Sequence, residues 1–142
     1  MCLYTKTNIP SVANKPIVCY KVMVPAPEEM EGGYKTPFTN FLVDGNIING
    51  KYNMVAQGDP SITKYTYNYS IGGGFIHCYT DKWRAIEEAE KLTLFAPGIN
   101  QTVVFRCEIP AGVEYIKSTD MFKEICAKEI RFICKIKKIT LD

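Results

Sequence analysis

The chain has 142 residues, 46% hydrophobic, 12% aromatic and 23% charged, with a formal net charge of +2. A chain of this length buries roughly two thirds of its unfolded surface, so one core in one domain is expected without metal or disulfide staples. The small net charge excludes a strong field for nucleic acid, and no apolar run reaches the about 20 residues that span a bilayer, so the expected compartment is the cytoplasm with neither membrane nor nucleic acid as partner.

In chain order, residues 1–16 are broken by Pro10, Asn14, Lys15 and Pro16 and are expected to form a loose arm. "IVCYKVMV" from Ile17 to Val24 reads as a strand, stopped by the prolines at 25 and 27 because proline donates nothing to a ladder. Residues 28–40 read as a long surface connection. Asp44-Gly45 and Asn49-Gly50 supply hairpin turns between the apolar pieces 41–43 and 52–56. "KYTYNYS" alternates strictly and predicts a strand with Tyr65, Tyr67 and Tyr69 on one face.

Gly72–Gly74 predict a turn or bulge leading into the strand "FIHCYT". Thr80 or Asp81 then caps a helix whose Trp83, Ala85, Ile86, Ala89 and Leu92 recur at helical spacing, with "APG" at 96–98 ending it. The last long strands are predicted to face Val103, Phe105, Cys107 and Ile109, and Ile130, Phe132, Cys134 and Ile136, inward, with Arg131 and Lys135 in water. Between them come a short strand in "PAGVEYI" and a helical turn in "STDMFKEICAKE". These elements predict an α+β fold: one compact domain over 17–142, with six to eight short, mostly antiparallel strands around one main amphipathic helix.

Six cysteines without a Cys-x-x-Cys pair, beside a single histidine, predict reduced thiols and no metal site. The candidate chemistry gathers near residues 65–80. His77 and Tyr79 share a strand face with Phe75, so His77 is either a hydrogen-bonded structural residue or a donor to a ligand. The row Tyr65, Tyr67 and Tyr69 is either a core face or a stacking platform for a nucleobase or a partner protein. The carboxylates of the helix, Glu87, Glu88 and Glu90, read as a solvated face. Glu124 stands just before a strongly alternating strand, where a carboxylate can point into a cleft.

"YKVM", "GFIHCYTDKWRAIEEAEKL", "VVFRCEIP" with "VEYI", and "KEICAKEIRFI" together resemble the order of elements in small ADP-ribosyltransferase-like domains. That resemblance implies a NAD-using transferase with Tyr79 or Thr80 and Glu124 as its second and third site elements. Only Lys21 or Tyr20 is available for the first, where that family carries histidine or arginine. The chain also resembles short proteins of phages and gut bacteria that share a "GFH" strand followed by a helix. The expectation is a non-catalytic binding or inhibitor protein of the phage accessory type, without cofactor, in which His77, Tyr79, Tyr65, Tyr67, Tyr69 and Tyr20 meet a nucleotide-like ligand or a partner protein. The alternative is the NAD-dependent enzyme with Tyr79 and Glu124.

Overall fold

In the computed structural model, which describes residues 3–29, 31–37, 42–43, 53–119 and 121–141, thirteen strands and one helix form. The strands are β1 (Leu3–Thr5), β2 (Ser11–Val12), β3 (Ile17–Pro25), β4 (Tyr34–Lys35), β5 (Leu42–Val43), β6 (Asn53–Val55), β7 (Ile62–Lys64), β8 (Tyr69–Ile71) and β9 (Ile76–Tyr79). The helix α1 (Lys82–Phe95) comes next, then β10 (Gln101–Ile109), β11 (Glu114–Lys117), β12 (Glu124–Ala127) and β13 (Glu129–Thr140). Strand takes 48% of the described residues and helix 11%. The fold is therefore β-rich, which corrects the expected α+β class. The single helix covers only part of one sheet, and most apolar burial is strand on strand. In "STDMFKEICAKE" the Phe122 N–H closes a turn on Thr119 O at 3.1 Å, and from Glu124 the chain is already in β12.

The large sheet runs β2-β11-β12-β9-β3-β10-β13-β6, every registered pair antiparallel, with β4 and β5 extending from β3. Only Lys128 separates β12 from β13, yet β9, β3 and β10 lie between them in that order. In a flat sheet those strands would stand roughly 19 Å apart. One linking residue spans about 7 Å. The sheet therefore curls, with Met23, Phe105, Cys107, Ile125, Ile130 and Phe132 packed inside. Phe105 packs edge-on to both Tyr34 and Phe132, with ring centroids 5.1 and 5.4 Å apart, a favourable geometry for aromatic rings.

Residues 3–16 are not the loose arm expected. Leu3 is fully buried as β1 pairs with β8, and Ala13 is held by Ala13 N–H to Val113 O (3.0 Å) and Gly112 N–H to Ala13 O (2.8 Å). Tyr4, Ile9 and Val12 stay exposed, so the segment is held at its pairings and by the burial of Leu3, Thr5 and Ala13.

Asp81 caps α1, its carboxylate accepting from the Arg84 amide at 3.0 Å. Ala85, Ala89 and Leu92 press on Val22, Tyr79 and Val104 from outside the curl. Trp83, expected on that apolar face, is exposed. In β13 the inward set ends at Phe132. Register shifts against β10 fall between Arg106 and Cys107 and between Val104 and Phe105, so Cys134 is only partly buried and Ile136 packs on the helix side. An extra residue on one strand reverses the facing of everything after it.

Candidate functional site

Strands β3 and β9 meet at one pair only, Tyr20 opposite Tyr79. On the same edge of β3, β4 takes over at Val24, opposite Lys35. Neither β9 nor β4 is registered against Lys21, Val22 or Met23. The result is a window in the sheet, three residues long. Lys21 bridges it, its ammonium donating to the His77 carbonyl at 2.8 Å.

Ladder parity fixes which backbone groups look into this window. Thr80 N–H donates to Lys123 O at 2.9 Å, and the Glu124 carbonyl accepts from Ser118 N–H at 3.0 Å. Alternate residues of a strand point their polar groups to opposite edges. Thr80 and Cys78 thus face β12, whereas Tyr79 and His77 face β3.

A cavity of about 510 Å³ occupies the window, within the range of small-ligand sites. Its walls come from both sides of the sheet: Met54, Ala56 and Ile76 from the core side, Val22, Glu88 and Leu92 from the helix side, with Gly72–Gly74 and His77 at one end and Thr36 and Pro37 at another.

The glycine turn is tied through its carbonyls. Gly72 O accepts from the His77 ring at 2.7 Å, Gly73 O from Ser61 N–H at 2.9 Å and Gly74 O from the Lys128 ammonium at 2.9 Å. That arrangement presents captured acceptors where an anion cradle would need converging donors. Gly74 has φ +83°, and a Cβ there would lie 2.5 Å from the Pro60 backbone. Gly73, by contrast, has open space where its Cβ would be. The Lys128 ammonium also sits 4.4 Å from the Phe75 ring centroid, fixing the other flank of the turn.

His77 donates from Nε2 to Gly72 O and leaves Nδ1 buried with no hydrogen-bond partner. Burial holds its pKa at about 4, below the ordinary 6.5, with the Gly72 hydrogen bond opposing and Lys21 reinforcing the shift. The imidazole is neutral at pH 7.

Tyr79 is buried beneath Arg84, whose guanidinium lies 5.1 Å from its ring centroid and 3.1 Å from Glu88. Burial, then the Glu88 charge, raises the Tyr79 hydroxyl far above its usual range, Arg84 opposing. Glu124 is directly opposite Tyr79 across β9 and β12, and burial raises its carboxyl while Arg84 lowers it. Among the described residues that line the cavity, Tyr79 and Glu88 belong to this cluster; Glu124 does not reach it.

The tyrosine row does not form. β7 and β8 are joined by a turn closed by Tyr65 N–H to Asn68 O at 2.8 Å, so "KYTYNYS" is a hairpin end with Tyr67 91% exposed. Tyr65 is exposed, Tyr69 is half-buried in β8, and neither lines the cavity. Tyr20 packs against the helix-side cluster next to Tyr79. The structure thus brings together His77, Tyr79 and Tyr20, and separates them from Tyr65, Tyr67 and Tyr69. Two lining residues stand out less in the sequence. Lys21 enters there only as a stand-in for the first-strand histidine or arginine of the resembled family, and Glu88 as part of a solvated helix face; only the place where β3 and β9 part exposes both, and no local pattern marks it.

Among the described residues, no group of three or more metal-ligating side chains occurs and no helix is long and apolar enough to cross a membrane. No family model matches the chain, and no curated protein or solved structure matches it significantly.

Proposed function

We propose that the protein is a non-catalytic binding protein that recognises an unstructured segment of a partner protein in the window between β3 and β9. The observation that carries this reading is the interrupted ladder: Lys21 and Val22 on one side and Ile76 and His77 on the other line a cavity, with no strand between them among the described residues. Strand edges of this kind bind extended peptide through main-chain hydrogen bonds, with side-chain pockets setting preference. A nucleotide-like ligand suits the cavity less well. Lys21 is the sole lysine or arginine among its described lining residues, and the glycine carbonyls already hold their donors.

Catalysis is disfavoured by the same geometry. Tyr79 is covered by Arg84, and Glu124 stands outside the cavity.

The test uses backbone amide shifts and thermal unfolding of the whole chain with unstructured peptides and, separately, with AMP, ADP and NAD. Peptides are expected to shift the amides of residues 21–23 and 76–78 and to raise the unfolding temperature, since a ligand of the native state alone stabilises it. Gly73→Leu fills the cavity from an unstrained position and is expected to remove the effect with unfolding temperature unchanged. Stabilisation by a nucleotide but not by peptide overturns the reading. NAD consumption abolished by Glu124→Gln would establish the transferase alternative.

A further inference from the structure

Resting on that reading, we infer that the window takes the free C-terminus of its peptide: the last three residues stand between β3 and β9 as the missing strand, and the terminal carboxylate is held by Lys21.

Three observations converge. The parity that turns His77 towards β3 also turns Tyr20 towards β9, and with it Val22 two residues on. Val22 and His77 therefore each offer one amide and one carbonyl to a strand placed between them. The unregistered stretch of β3, Lys21 to Met23, ends where β4 begins, so about 10 Å of extended chain fits before β4 blocks the way. A run that short suits an end of a chain better than its middle.

The walls also match a strand. Side chains of an extended peptide alternate between the faces of the sheet. Here one face meets Met54, Ala56 and Ile76, and the other meets Val22 and Leu92. Small or branched apolar residues fit on both sides.

Charge selects the end. The Lys21 ammonium now rests on a neutral acceptor, the His77 carbonyl, at 2.8 Å. A carboxylate is the stronger partner for an ammonium. When Lys21 turns to it, the His77 carbonyl is released to accept from a peptide amide, so one exchange of partners both secures the terminus and starts the ladder. A free amino terminus would bring a positive charge to the same lysine.

The experiment titrates the full chain, labelled for amide shifts, with two pools of acetylated hexapeptides whose last three positions are random in Ala, Val, Leu, Ser and Thr. One pool ends in a free carboxylate and the other in an amide. The free-acid pool is expected to bind at least about tenfold tighter, with the largest shifts at Val22 and His77; tenfold is about 1.4 kcal/mol. Lys21→Met is expected to abolish the preference and Lys21→Arg to retain most of it, the folded state of both being checked by their unfolding midpoints. Equal binding of the two pools overturns the C-terminal assignment and leaves the peptide-binding reading standing. Shifts at residues 21–23 and 76–78 from neither pool overturn both.

Discussion

The Lys21 ammonium lies 2.8 Å from the His77 carbonyl, so a side chain spans the gap where two neighbouring strands part. Beside that link His77 is kept neutral by burial, and this makes the protein sensitive to acid. The unfolded histidine takes up its proton near 6.5, the folded one only near 4. Between these values the unfolded state binds more protons, so the contribution of His77 is complete above pH 6.5 and is lost as pH falls towards 4, with a slope approaching 1.4 kcal/mol per pH unit. Glu124, raised in the folded state, acts in the opposite sense, its penalty easing as pH falls. Urea unfolding at pH 7 and pH 5 is expected to show a larger loss for the native chain than for His77→Gln. Parallel losses would refute a buried neutral histidine.

Gly73 and Gly74 are adjacent and are expected to respond oppositely to alanine. Gly74→Ala places a methyl 2.5 Å from the Pro60 backbone at φ +83° and should destabilise by more than about 2 kcal/mol, combining strain and clash. Gly73→Ala should stay within about 0.5 kcal/mol. Comparing the two denaturation midpoints decides whether this turn is built as described.

Phe132 is fully buried against Phe105, so Phe132→Ala is expected to cost about 3–5 kcal/mol. Ile136→Ala, at the second register shift and only half-buried, should cost distinctly less. Similar losses at both sites would mean that β13 keeps one unbroken register.

Asp81→Ala should destabilise by about 1 kcal/mol through loss of the cap on the Arg84 amide, measurable by thermal unfolding.

Thiol chemistry offers a further check. Cys19, Cys78, Cys107, Cys126 and Cys134 are free, and all but Cys134 are buried. Burial pushes Cys126 up to about 12 and Cys107 well above the usual thiol value. Alkylation of the denatured, unreduced chain should modify six thiols. Among these five, Cys134 should react first in the native state, because thiolate and access together set the rate.

Helix α1 was legible because its cap and its 3.6-residue spacing are both local, and the inward sets Val103 to Ile109 and Ile130 to Phe132 because alternation within one strand is local too. The tyrosine row misled because a strictly alternating stretch can also close a hairpin, and the turn through Tyr65 and Asn68 is decided by the pairing of β7 with β8. The facing of Cys134 and Ile136 depended on register shifts set by the partner strand. Of the site, His77 and Tyr79 were visible as polar residues on one face. Lys21 was named only through a family resemblance and Glu88 only as a solvated face, since what makes them matter is a separation between strands nearly sixty residues apart in the chain.

The curl closed through Lys128 bears on how this chain acquires its shape during synthesis. β3 pairs with β10 some eighty residues later, β10 in turn needs β13, and β9 needs β12 from the far side of the same bend. Such distant partners make closure slow and leave little that is complete before the end of the series. A nascent chain held on the ribosome before Thr140 has emerged therefore displays β10 with an unpaired flank, a period in which a holdase, or another copy of the same strand, has its best opportunity to bind.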